Sequence, residues 1–143
     1  MYKWDTNLET GNIEIDNQHK EWISYLNNLV KAFQEGKGTE EIIKTMNFLL
    51  QYTIKHFTAE EDLMLRHNYE DYLVHRRYHE EFKITARSLI RQLITEGPNE
   101  ELVDKVIFTL RGWLLNHIRS DDFRMAACIK NREKPFVTKA KGY

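Results

Sequence analysis

The chain has 143 residues, and its 21 basic and 22 acidic side chains give a formal net charge of −1. This length predicts one domain with a substantial core, and the balanced charge favours neither a nucleic acid nor an anionic membrane as a partner. The single cysteine, Cys128, excludes an internal disulfide, and no segment approaches the ~20 apolar residues of a membrane span. We therefore expect a single cytoplasmic domain over residues 1–143.

The first predicted helix follows an irregular N-terminal arm, residues 1–15. Asp16 is a good N-cap, so the helix should begin after it and run to about Gln34. Its apolar side chains recur with helical spacing on one stripe, and His19 lies on that stripe. We therefore expect this histidine to face the core.

The second helix is predicted to follow Gly38 and to end near His67. Its inner face repeats at alternating intervals of four and three residues and consists of Ile42, Met46, Leu49, Thr53, His56, Glu60 and Leu63. His56 and Glu60 are therefore expected on one face, one turn apart. The next residue, Glu61, is expected on a solvated face, and His67 is not expected to bind a metal.

The third and fourth helices repeat this pattern. The third is predicted over residues 70–96 and carries His75 and His79 one turn apart on its apolar seam. The fourth should begin after the Asn99 cap. Its inner face consists of Leu102, Val106, Leu110, Trp113 and His117. Histidines again interrupt a core-facing seam.

Four amphipathic helices joined by short connections predict the fold class. They favour an all-α fold, an antiparallel up-down-up-down four-helix bundle over residues 16–122. The N-terminal arm precedes this bundle, and a short C-terminal extension, residues 123–143, follows it. No strand pattern competes with this interpretation.

The inner faces of these helices hold a set of potential metal ligands that includes five of the six histidines. Unpartnered buried polar groups would cost ~1–3 kcal/mol or more each, and metal coordination removes that cost. The set consists of His19, His56, Glu60, His75, His79, His117 and one aspartate, either Asp121 or Asp122. Imidazoles and carboxylates without a thiolate suit iron or manganese better than structural zinc.

The number of ligands predicts two metal ions. Two carboxylates that each bridge both ions leave five imidazoles to divide three and two. A solvent-derived bridging oxygen then brings one ion to six ligands and the other to five, which leaves a vacancy for a small ligand. Helical spacing alone chooses Asp121, four residues after His117, as the second bridge, with Asp122 as the alternative.

Five segments carry a resemblance to a known family. They are Trp4, the IDNQH of residues 15–19, the HFTAEE of 56–61, the HRRYHEEF of 75–82 and the WLLNHI of 113–118. In this order and spacing they resemble the hemerythrin family, specifically its single-domain bacterial members, the bacteriohemerythrins. The resemblance extends from Trp4 to about Asp122 and implies a non-haem di-iron site that binds dioxygen reversibly.

The resemblance also implies how the ligands divide. It assigns His75, His79 and His117 to the six-coordinate iron, and His19 and His56 to the five-coordinate iron. Glu60 and Asp122 are the implied bridges, because the family's aspartate lies five residues after the last histidine, and the helix is expected to distort or end there. Trp113 and Leu114 are implied to wall the dioxygen pocket as well as to fill the core.

The function implied is reversible dioxygen binding, for oxygen transport, storage or delivery to an oxygen-consuming partner enzyme. We expect a monomeric carrier rather than an enzyme. Two alternatives use the same vacancy. One is a di-iron enzyme that acts as an oxidase, a peroxidase or a nitric-oxide-consuming protein, and sustained substrate-dependent turnover would identify it. The other is an oxygen or redox sensor.

Overall fold

The computed structural model describes residues 2–132, and helices make up most of this range. A short 3-10 helix, Thr6–Leu8, precedes four long helices, which are α1 (Ile13–Gln34), α2 (Thr39–Arg66), α3 (Tyr72–Glu96) and α4 (Glu100–His117). A π-helical turn, Ile118–Asp122, and a last helix, α5 (Phe123–Arg132), continue α4 without a break. Helix α1 packs against α2 and α4, and α3 packs against α2 and α4, so the predicted four-helix bundle is confirmed.

Two apolar clusters fill the bundle, and a polar layer separates them. The larger cluster draws on all four long helices, whereas the smaller one gathers Ile15, Leu63, Met64, Tyr69, Met125 and Ile129. On α1, for example, His19 lies between Ile15 of the smaller cluster and Trp22 of the larger one. The same order recurs on the other helices, so the buried histidines share one level of the bundle.

Helix α1 begins at Ile13, so the predicted start after Asp16 is wrong. The N-cap is Asn12, whose side chain accepts a hydrogen bond from the Ile15 N–H at 3.1 Å. Asp16 instead accepts hydrogen bonds from the backbone N–H and the hydroxyl of Thr10, each at 2.8 Å. It therefore ties the arm to the first turn of a helix that has already begun, and the last three residues of the predicted arm belong to α1.

The end of α4 distorts, as the family resemblance implied. The π-helical turn widens the i→i+4 pattern to i→i+5, so a residue five positions after His117 returns to the same side of the helix. Asp122 is consequently buried together with His117. The last part of the predicted C-terminal extension, residues 133–143, lies outside the described residues. Within residues 2–132, no helix is long and apolar enough to span a membrane.

Candidate metal centre

The seven residues that the resemblance implies as ligands come together in the polar layer, and each is at most 3% exposed. Their potential ligand atoms form two groups, and within each group all atoms lie within 4.8 Å of one another. The three-histidine group contains His75, His79 and His117 with Glu60 and Asp122, and the two-histidine group contains His19 and His56 with the same two carboxylates. The carboxylates therefore join the two groups.

Glu60, on α2, presents one carboxylate oxygen to each group. Its Oε1 atom lies 3.0 Å from His79 Nε2 in the three-histidine group. Its Oε2 atom lies 3.0 Å from His56 Nε2 in the two-histidine group. This is the arrangement that a carboxylate needs to bridge two cations.

Asp122 does the same from the opposite side of the bundle. Its Oδ1 atom lies 3.1 Å from the Nε2 atoms of both His75 and His117, and its Oδ2 atom lies 2.9 Å from His19 Nε2. Asp121 belongs to neither group. The π-helical turn thus places Asp122, rather than Asp121, beside both groups.

Three of the imidazoles contact an outer side chain through the other ring nitrogen, Nδ1. The pairs are His79 with Glu61 Oε2 at 2.9 Å, His117 with Asp121 Oδ2 at 2.9 Å, and His56 with Gln18 Oε1 at 2.6 Å. An oxygen at Nδ1 requires a proton there, so a neutral ring keeps its lone pair on Nε2. The expectation that Glu61 is solvated is wrong, because its side chain is only 16% exposed and reaches across to α3.

The arrangement of these atoms fits metal ions. The Nε2 atoms of His79 and His117 approach to 3.1 Å, and with the proton of each neutral ring on Nδ1 their two lone pairs face each other, an arrangement that favours a cation between them. Within residues 2–132, several buried atoms of the site lack any hydrogen-bond partner: both ring nitrogens of His19, His56 Nε2, Glu60 Oε2 and both oxygens of Asp122. Most of these atoms nevertheless lie close to a nitrogen or oxygen atom of another residue in the site. Metal ions would therefore satisfy the polar atoms that hydrogen bonds leave without a partner.

Protons are the alternative source of positive charge at this site. Burial by itself would lower the pKa of His19, but the adjacent carboxylates of Asp122 and Glu60 outweigh burial and raise that pKa to about 9. The same balance raises the pKa of His75 to about 9. Burial would raise the pKa of Glu60, yet the neighbouring imidazoles hold it well below its usual value. Metal ions must therefore displace protons, and their binding should strengthen as the pH rises.

Aromatic rings cover the three-histidine group. Phe57 stacks on His79 with ring centroids 3.8 Å apart, and Trp113 stacks on His117 at 4.4 Å. Trp113 therefore contacts a histidine of this group, whereas the resemblance assigns the vacancy to the two-histidine group. Its role as a pocket wall stays a prediction.

Trp22 provides apolar surface at the two-histidine group, whereas Leu114 lines a separate cavity whose lining includes none of the seven candidate ligands. The ring of Trp22 lies 5.4 Å from that of His56 and 6.3 Å from that of His19, and it is almost fully buried. Leu114 is equally buried and lines a cavity of about 330 Å³. Other residues that line this cavity include Tyr2, Leu8, Ile23, Leu26, Arg111 and Leu115. Sequence reasoning assigned Trp22 only to the core, although its spacing of three from His19 indicates contact with the site.

Comparison with known proteins gives concordant matches. A family model described as "Hemerythrin HHE cation binding domain" matches residues 10–129. A bacteriohemerythrin of Pseudomonas aeruginosa is 36% identical over 119 residues, which cover 83% of this chain and 75% of the relative. A bacteriohemerythrin of Stenotrophomonas maltophilia is 32% identical, with coverage of 94% and 85%. A crystal structure of wild-type hemerythrin matches with a TM-score of 0.79 and 25% identity, covering 90% of this chain and 98% of that one.

Proposed function

The chain belongs to the hemerythrin family, and from that premise we propose that it binds dioxygen reversibly at a non-haem di-iron centre. The observation that carries this proposal is the position of the two carboxylates. Glu60 and Asp122 each turn one oxygen to the three-histidine group and the other to the two-histidine group. Bound iron would supply the electrons that dioxygen takes up on binding and returns on release.

The ligand assignment follows the two groups. In this proposal one iron takes the three imidazoles of His75, His79 and His117, and the other takes the two of His19 and His56, with both carboxylates and a solvent-derived oxygen shared between them. The unequal division of imidazoles supports the proposal, because it leaves the two-histidine iron one ligand short. A small molecule such as dioxygen fits that position.

The residues around the two-histidine group favour a carrier over an enzyme. Trp22 covers both histidines of this group with an apolar ring. The buried hydroxyl of Thr53, one turn before His56 on α2, already donates its proton to the Leu49 carbonyl at 2.7 Å. Few protons are therefore available for breaking the O–O bond, and bound dioxygen can leave intact. We propose a monomeric, cytoplasmic protein for oxygen transport, storage or delivery to an oxygen-consuming enzyme.

Metal and oxygen stoichiometry test this function. The protein should be reconstituted with ferrous iron under anaerobic conditions, analysed for metal and then titrated with dioxygen in the presence of a reductant. We expect about two irons per chain, uptake of one dioxygen per iron pair and no sustained consumption. Continued consumption of dioxygen would instead identify a di-iron enzyme, and a single zinc per chain with no uptake of iron would contradict the di-iron centre itself.

A further inference from the structure

Two of the three histidines in the three-histidine group have a carboxylate as their outer partner. Glu61, on α2, reaches the Nδ1 atom of His79 on α3, and Asp121 reaches the Nδ1 atom of His117, both at 2.9 Å. Both carboxylates are shielded from water, with exposures of 16% for Glu61 and 13% for Asp121. Their negative charge therefore acts on the imidazoles through a medium that screens it weakly.

Among the described residues, no such carboxylate meets the outer nitrogens of the two-histidine group. The Nδ1 atom of His56 meets the neutral amide oxygen of Gln18 at 2.6 Å. The Nδ1 atom of His19 is buried and has no hydrogen-bond partner within residues 2–132. The two halves of the centre thus differ in the charge behind their ligands as well as in the number of imidazoles.

A carboxylate that accepts the Nδ1 proton makes the imidazole a stronger electron donor. Such a charged acceptor draws the proton more strongly than an amide does, which raises the basicity of Nε2 toward a bound metal. Stronger donation stabilises a higher oxidation state of that metal. Because two of the three imidazoles in the three-histidine group have this support, an ion held there should be easier to oxidise than its neighbour.

Nearby arginines reduce this effect without cancelling it. Arg76 Nε lies 3.9 Å from Glu61 Oε1, and Arg124 donates a hydrogen bond to Asp121 Oδ1 at 2.8 Å. Both arginine side chains are more than half exposed, so water screens their charges. The carboxylate oxygens that face His79 and His117 remain the closest charges to those rings on the outer side of the site.

We propose that Glu61 and Asp121 are positioning residues that make the three-histidine ion the first to be oxidised, whereas neutral Gln18 helps to keep the two-histidine ion ferrous. The centre is thereby divided into an electron-donating half and a ligand-binding half. This inference rests on the proposed function for the identity of the metals. It goes beyond that function because it assigns separate roles to the two ions and names the residues that set them.

The test replaces each outer residue by its isostere and measures reduction potentials. Glu61→Gln and Asp121→Asn keep an oxygen for the Nδ1 proton but remove the charge, and Gln18→Glu adds a charge behind His56. Asp62→Asn is the matched control, because it removes one negative charge from an exposed neighbour of Glu61. Each protein is loaded with ⁵⁷Fe, analysed for metal and oxidised stepwise without dioxygen, while Mössbauer spectra identify the ion that changes.

We expect the Glu61 and Asp121 variants to keep two irons and to disfavour the first oxidation by about tenfold each, which is ~59 mV for one electron. The Gln18→Glu variant should make the second oxidation easier and so reduce the difference between the two reduction potentials. Asp62→Asn should change neither step.

The inference is overturned if Glu61→Gln and Asp121→Asn behave like Asp62→Asn, since the carboxylates would then only hold the rings in place. It is also overturned if the Mössbauer spectra show that the two-histidine ion oxidises first in the unaltered protein. Failure of the proposed function is a separate result: a protein with two irons that does not release dioxygen would refute reversible binding, and its two potentials would still decide the inference.

Discussion

Replacement of Asp122 by alanine should cost the centre one bridge and thus one ligand at each ion. The structure places its two oxygens 2.9–3.1 Å from imidazoles of both groups, so neither ion would escape the loss. A four-ligand structural zinc site contributes about 10–16 kcal/mol, or roughly 2.5–4 kcal/mol per ligand. At ~1.4 kcal/mol per tenfold change, each ion should lose about 10²–10³ in affinity.

Asp121→Ala is the matched comparison for this prediction. Asp121 contacts His117 at the outer nitrogen, and loss of such an outer partner typically lowers metal affinity by about 10–100-fold. The two substitutions remove the same chemical group from neighbouring positions, so nonspecific damage to the π-helical turn should affect both. Asp122→Ala should therefore weaken iron binding by about an order of magnitude more than Asp121→Ala.

The assay is an anaerobic titration of the stripped protein with ferrous iron against a chelator of known affinity, with helical content followed by circular dichroism. Correct folding of both variants would be shown by unchanged helical content before iron is added. If Asp121→Ala proved the more damaging substitution, plain i, i+4 geometry would describe the site better than the π-helical turn, and the ligand assignment would be refuted.

Three further predictions concern iron retention, stability and the pocket. Glu60→Ala should abolish retention of the iron pair. His67→Ala should leave the iron content unchanged, because His67 lies outside both groups. Equal loss of iron from the two variants in metal analysis would mean that the site is misplaced. Stripped protein should melt roughly 10–20 °C below loaded protein, because two metal ions, each at about 100-fold its dissociation constant, together add ~5.4 kcal/mol to the folded state, and coincident melting curves would contradict a centre that joins four helices. Leu114→Ala should retain iron but shorten the lifetime of the oxygenated form severalfold, because the smaller side chain admits water. If the visible absorption band of the oxygenated form decays at an unchanged rate, Leu114 serves core packing alone.

Hydrophobic periodicity was sufficient to predict the bundle, because each long helix carries one continuous inner face. Helix boundaries were less predictable where two capping residues compete. Asn12 and Asp16 are both good N-caps by residue type. The choice between them depends on the hydrogen bonds that Thr10 makes to Asp16, six residues later, and helical periodicity does not show those bonds.

The residues that gather in the polar layer were more predictable than their outer partners. The i, i+4 pairs, His56 with Glu60 and His75 with His79, can each be recognised within a single helix. The family spacing implied Asp122 together with a distortion of α4. In contrast, Glu61 reaches His79 from a different helix, and this contact depends on the register between α2 and α3. The i, i+4 spacing of Asp121 from His117 indicated a contact between these two residues, but it did not show that the contact would be with the outer nitrogen, Nδ1.

The visible spectrum of the reduced, iron-loaded protein tests reversible dioxygen binding most directly. The protein should be prepared without oxygen, exposed to air and then returned to an oxygen-free gas, with a spectrum recorded at each stage. We predict that a visible absorption band appears in air, disappears when dioxygen is removed and returns over repeated cycles. A sample that stays colourless, or that bleaches irreversibly after the first exposure, would contradict the proposed function.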